Sequence, residues 1–171
     1  LFSELGTRAQ REGRSAPKVY LHAGDKWLYE NVAIQSSLLG MRPFKVTDTF
    51  DPIQDSQKYE HFEGVRALHT PGHTPGSCCL QVNGATEVQV SGSSMGAGLD
   101  GTAPRLLLSG DTLFRRSIGR TDLWGGDGAL ILKSIRNRLL GLAPDTVVVP
   151  GHGPLTSIEE EKAKNPFLGK A

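Results

Sequence analysis

Leu68-His69-Thr70-Pro71-Gly72-His73-Thr74-Pro75-Gly76 is the stretch whose reading decides the fold. The apolar, β-prone residues Val65, Ala67 and Leu68 lead into it, and Cys78, Cys79, Leu80 and Val82 lead out. Proline fixes φ and lacks an N–H, and glycine tolerates φ > 0. Two of each between apolar runs therefore predict a tight loop at a strand end. A histidine on so stiff a loop can be aimed. Leu106-Leu107-Leu108-Ser109-Gly110-Asp111 and Val147-Val148-Val149-Pro150-Gly151-His152-Gly153-Pro154 share this build. Each is a buried-type strand that stops at glycine and presents one potential metal ligand. Taken singly, His73 and His152 are ordinary loop residues and Asp111 an ordinary turn former. The three like-built contexts lie 38 and 41 residues apart, which leaves room for strands and a helix between them.

The chain has 171 residues, enough for one domain with a real core. Hydrophobic residues make up 37% and charged residues 22%, the proportions of a globular domain rather than a disordered chain. A net charge of +1 gives no field for nucleic acid or an anionic membrane, so neither is expected as a partner. No apolar run approaches the roughly 18 residues of a transmembrane helix. There is no basic-then-apolar leader pattern, and the sequence assigns no compartment. Cys78 and Cys79 are neighbours, and neighbours on a strand face opposite ways. They read as small strand residues, not as a metal pair or a disulfide framework.

In chain order, residues 1–12 read as the tail of a helix and 18–22 as a short strand. Asp25 is expected to cap a helix running to about Leu39, with 44–47 a further strand and 51–59 a polar loop. Strands over 65–68 and 77–82 flank the histidine loop. Residues 84–104 form a Gly/Ser-rich insertion, expected to be a mobile loop because it cannot bury enough surface to offset its ordering entropy. A phosphate cradle needs strand–loop–helix context, and a strand follows instead. Next come a buried strand over 105–109, a loop over 113–126, and a helix over 128–140 capped by Asp127. A last core strand covers 146–149, and Ser157-Ile158-Glu159-Glu160 fits a capping box opening a helix to about Lys164. Alternating strands and helices make an α/β fold in a single domain, 1–171.

Three segments carry a family likeness: TPGHTPG (Thr70 to Gly76), SGDTLF (Ser109 to Phe114) and PGHGP (Pro150 to Pro154). Together they resemble the metallo-β-lactamase superfamily. Gly119-Arg120-Thr121-Asp122 and Asn165-Pro166-Phe167-Leu168 fit its small glyoxalase II-like (hydroxyacylglutathione hydrolase-like) members. The resemblance implies an αββα sandwich with metal ligands on loops along one edge. It implies that His73 binds a first metal, that Asp111 bridges two metals as the catalytic carboxylate, and that His152 binds the second. His22 then lies away from the metals and is structural, and His69 stands at a variable position. Arg120 either shapes the substrate mouth or forms a buried pair with Asp122 that fixes the loop.

The family's first metal motif, His-x-His-x-Asp-His, does not occur in the sequence. The chain is therefore expected to be N-terminally incomplete. An intact site would hold two zinc ions, or iron, and hydrolyse thioesters, a glutathione conjugate among them. This chain alone, with half the ligands, is expected to bind metal weakly or not at all and to be inactive. Two other readings remain open. One is an iron-dependent persulfide dioxygenase, which shares the GRTD segment. The other is a non-catalytic structural or interaction subunit, with a protein partner or dimer covering the incomplete sheet.

Overall fold

The computed structural model describes residues 18–38, 40–42, 50–56, 58–59, 62–84, 88–90, 93–95 and 105–169. The expected helix over 1–12 and strand over 44–47 lie outside them. The chain divides into two compact units, Leu1–Ile53 and Gln54–Ala171.

In the first unit, β1 (Tyr20–His22) pairs in parallel with β2 (Asp51–Ile53). A 3-10 turn at Ala23–Asp25 precedes α1 (Lys26–Glu30) and α2 (Val32–Leu38). The single helix expected here is thus two. The break falls at Asn31, whose side-chain amide donates to the Trp27 carbonyl at 2.8 Å and competes with the helical ladder. Asp25 stands at the N-cap of α1, but its side chain makes no capping hydrogen bond. His22 Nδ1 accepts from Gly24 N–H at 3.1 Å and starts the turn one step earlier, giving His22 a structural role. The polar segment 51–59, expected as a loop, supplies β2 and also β3 (Lys58–Tyr59). Backbone pairing sets both strands without an apolar pattern, and Pro52 is tolerated because β2 has a single strand neighbour among the described residues.

The second unit is built on a six-stranded sheet. In chain order it contains β3, β4 (Phe62–His69) and β5 (Cys78–Val82), then a separate ribbon of β6 (Val88–Val90) and β7 (Ser93–Met95). There follow β8 (Leu106–Gly110), the short pair β9 (Leu113–Phe114) and β10 (Ser117–Ile118), and α3 (Gly128–Ser134). Next are β11 (Val147–Pro150), β12 (Thr156–Ser157) and α4 (Ile158–Lys164). Sheet order is β12-β11-β8-β5-β4-β3. The β6–β7 ribbon lies within the stretch expected as a loop over 84–104, and β-prone Val88 and Val90 account for it. The rest of that insertion, beyond Gly84, lies outside the described residues.

Register shows how the core forms. Leu68 stands opposite Cys79 and Val148 opposite Leu107, so these four lie on one sheet face. Against it pack Ile131, Ile135, Leu139 and Ile158 from the helices, all fully buried. Each such aliphatic side chain contributes roughly 1.5–3 kcal/mol by leaving water. The alternate residues Leu80, Leu108 and Val149 face the other way, and Leu108 is 39% exposed. Burial pushes the Cys79 thiol pKa up, against hydrogen bonds with Thr70 and Thr112, and neither Cys78 nor Cys79 is in a disulfide. Asp127 caps α3 as its sequence implies, accepting from Leu130 N–H at 2.9 Å. The last part of that helix, Ile135–Leu139, widens into a π turn.

The histidine loop is pinned to α3. Ser134 Oγ donates to the Pro71 carbonyl at 2.7 Å, and Asp127 N–H to the Gly72 carbonyl at 2.8 Å. Gly72 has φ +139°, and a Cβ there would stand 2.3 Å from Ile131 N. Replacing Gly72 by alanine must both strain this turn and push α3 off the sheet. We expect Gly72→Ala to lower unfolding free energy by about 2–5 kcal/mol, read as a shifted urea midpoint. An unchanged midpoint would refute this account of the turn.

Candidate metal centre

Strand direction brings the three candidate ligands together. β4 and β8 both run antiparallel to β5, and β11 runs parallel to β8. β4, β8 and β11 therefore all end at one edge of the sheet. The loops after them carry His73, Asp111 and His152. A register shift at Val149/Pro150 sets Pro150 opposite Gly110, and Gly151 N–H donates to the Gly110 carbonyl at 2.9 Å. Local bonds hold each loop: Thr70 and Thr112 hydroxyls meet at 3.1 Å, and Ser109 Oγ donates to the Leu113 carbonyl at 2.7 Å.

Asp111 sits between the two imidazoles. Its Oδ2 is 3.7 Å from His73 Nε2, and its Oδ1 is 3.8 Å from His152 Nε2. Neither separation is a hydrogen bond. His73 Nδ1 lies 2.8 Å from the Arg120 carbonyl, which can only accept. Nδ1 therefore carries the proton, and the Nε2 lone pair faces Asp111. His152 is held differently: the Phe114 ring lies against it, with centroids 4.5 Å apart at a 35° tilt.

These residues open into a pocket of about 410 Å³, lined also by Arg115, Ile118, Arg120 and Pro154. The Arg120 guanidinium does not reach into it freely. Its Nε and one terminal nitrogen each donate to Asp122 at 2.7 Å. The expected Arg–Asp pair thus forms, but it is exposed (61% and 67%) rather than buried. The hydrogen bonds from Arg120 hold the Asp122 carboxyl down to about 2. Sequence reading did not anticipate that Arg120 serves the site through its backbone carbonyl, since any residue type offers one. The Phe114 contact was also missed, although its place three residues after Asp111 is a usable signal.

The donor set suits a divalent transition metal, since imidazole nitrogen and carboxylate oxygen are the groups zinc and iron accept. Two donors about 2.0–2.2 Å from one tetrahedral ion stand roughly 3.3–3.6 Å apart. The separations of 3.7 and 3.8 Å are only slightly wider. One His–carboxylate pair on each side of Asp111 therefore fits one ion each. Among the described residues, no three His, Cys, Asp or Glu side chains converge on a single ion. Each ion would have two donors from this set, one fewer than a catalytic zinc takes.

Comparison with known proteins gives the family. A model of the metallo-beta-lactamase superfamily matches residues 11–152. The probable metallo-hydrolase YqgX of Bacillus subtilis is 40% identical over 98% of this chain and 71% of its own length. Hydroxyacylglutathione hydrolase GloC of Haemophilus influenzae is 33% identical over 84% of this chain and 60% of its own. The solved structure of TTHA1623 in a di-iron-bound form superposes with a TM-score of 0.70 at 31% identity, covering 98% of this chain and 71% of that one. The match to mycobacterial relatives such as ML0493 of Mycobacterium leprae spans 39% of their length. With three like-built loops at one sheet edge and a superfamily model over most of its length, the chain belongs to the metallo-β-lactamase superfamily.

Proposed function

We propose that His73, Asp111 and His152 are ligands of a two-ion hydrolytic site, with Asp111 shared between the ions, and that the reaction is hydrolysis of a thioester. The observation that carries this reading is the Asp111 carboxylate, whose two oxygens face separate imidazoles at nearly equal distance. When bound, such a pair of zinc or iron ions supplies a hydroxide and polarises a carbonyl. The chain's own residues do the rest. The Arg120 carbonyl keeps the His73 proton on Nδ1, so Nε2 is available as a donor. Phe114, Ile118 and Pro154 give the pocket apolar walls for an acyl chain, and Arg115 adds a cation at its rim. The likeness to a protein named hydroxyacylglutathione hydrolase favours an acyl-glutathione thioester as substrate. The Arg120 guanidinium, already committed to Asp122, fixes the loop and is not a substrate contact.

With two donors per ion among the described residues, we infer that the 171-residue chain by itself binds metal weakly and has negligible turnover. Zinc titration by calorimetry is expected to show binding that Asp111→Asn abolishes and that His73→Ala and His152→Ala each weaken. Zinc binding indifferent to Asp111→Asn would sink the metal reading. Turnover of an acyl-glutathione thioester by this chain at about 1 s⁻¹ or more, an ordinary enzymatic rate, would sink the inference drawn from donor number.

The Arg120–Asp122 pair has its own test. Followed by carboxyl carbon NMR, Asp122 should titrate near 2, and Arg120→Gln should return it toward 3.8. Because the folded-state value is depressed, the pair's stabilisation is present above the ordinary carboxylate range and lost as pH falls through about 2. The gain is small, since both partners are solvent-exposed. A titration unmoved by Arg120→Gln would release the guanidinium for the substrate.

A further inference from the structure

Glu161 is fully buried, yet among the described residues none of its hydrogen bonds comes from a charged side chain. Its carboxylate accepts three neutral donors: Arg116 N–H at 2.8 Å, Thr156 Oγ at 2.6 Å and Asn165 Nδ2 at 2.8 Å. The same Asn165 amide donates to the Ser117 carbonyl at 3.1 Å, while its own oxygen accepts from Phe167 N–H at 3.0 Å. Helix α4 and the residue after it therefore grip two successive backbone groups, the N–H of Arg116 and the carbonyl of Ser117.

Those two groups belong to the turn between β9 and β10. Phe114 pairs with Ser117, which leaves Arg115 and Arg116 as a two-residue turn. Arg116 has φ +60°, a conformation that glycine takes easily and a side-chain-bearing residue does not. Something outside the turn must hold it there, and the Glu161 carboxylate meets the Arg116 N–H directly. The Arg116 guanidinium adds a second tie, to Glu160 at 2.6 Å.

The turn matters because both of its ends reach the metal-facing histidines. At its start, the Phe114 ring lies on His152. Just past its end, Gly119 N–H donates to the Thr112 carbonyl at 3.2 Å, and the Arg120 carbonyl takes the His73 Nδ1 proton. One short ribbon thus orients both imidazoles, and one buried carboxylate holds the ribbon.

We propose that Glu161 and Asn165 are positioning residues for the metal site, acting through the 114–120 ribbon to fix the His73 tautomer and the His152 ring. This rests on the metal reading for its purpose, but the orientation itself is readable in metal-free protein. The experiment is long-range proton–nitrogen NMR of the full chain without metal, at a pH where the imidazoles are neutral. Wild type and Glu161→Gln should show His73 protonated at Nδ1 and a His152 ring shifted upfield by Phe114. The glutamine oxygen can still accept from Arg116 and Asn165, and its amide can donate to Thr156.

Glu161→Ala and Asn165→Ala should mix the His73 tautomers and lose the His152 shift, while the core methyls of Ile131 and Ile135 keep theirs. Zinc affinity in the same variants should fall about tenfold or more, as when a ligand's outer partner is removed. A folded Glu161→Ala or Asn165→Ala with wild-type histidine signals would overturn the proposal. If Glu161→Ala does not fold, Asn165→Ala decides, because it removes the Ser117 tie and leaves the carboxylate in place. Histidine signals that change as expected, in a chain where no form binds zinc, would keep the clamp and remove the metal reading. Unchanged signals with intact zinc binding would remove the clamp alone.

Discussion

Everything at the sheet edge depends on how closely the backbones at Gly119 and Gly151 approach Asp111. A Cβ on Gly119 would stand 1.9 Å from the Asp111 carbonyl oxygen, and one on Gly151 would stand 2.8 Å from Asp111 Oδ1. Neither gap can hold a methyl group. The two glycines let the 111–120 loop fold back on itself and let the loop after β11 close over β8. Larger residues at these places would spread the loops, and Asp111 could no longer face both imidazoles.

That closeness is supported by layers of ordinary bonding rather than by charge. The buried hydroxyls of Thr70 and Thr112 join the first two loops, and Gly151 joins the third to Gly110. Ser134 and Asp127 then tie the histidine loop to α3, whose inner face is part of the hydrophobic core. The positions of His73, Asp111 and His152 are thus set by rigid elements one step removed, the arrangement that keeps a site within a fraction of an ångström. The buried Glu161 carboxylate belongs to the same scheme, held by a backbone N–H, a hydroxyl and an amide.

Charge is kept to the pocket's outer parts and is largely paired there. Arg116 meets Glu160, and Arg120 meets Asp122. Arg115 also faces Glu160, but at 3.9 Å, the longest of these contacts. Exposed pairs of this kind add little stability. Their effect is to shape loops and to determine which cation is least committed beside an incoming anion, and Arg115 has the loosest tie of the three.

Much of this was legible in the sequence. Gly and Pro after apolar β-prone runs marked the three loops that carry His73, Asp111 and His152, because local backbone preference alone dictates such turns. Asp127 and Ser157 announced their helices for the same reason, and both caps form. Sequence signals ran out where partners are distant. Glu160, expected to complete a capping box, bonds instead with Arg116 from a loop 44 residues away. The strands at 51–53 and 58–59 carry no apolar pattern, since backbone pairing with β1 and β4 makes them strands. Local chemistry fixed which residues could be ligands and where the chain must turn. Only tertiary structure decided that Asp111 lies between His73 and His152, that a backbone carbonyl orients one imidazole, and that a buried glutamate steadies the ribbon. Those relations arise from strand direction and close approach, which no single stretch of residues encodes.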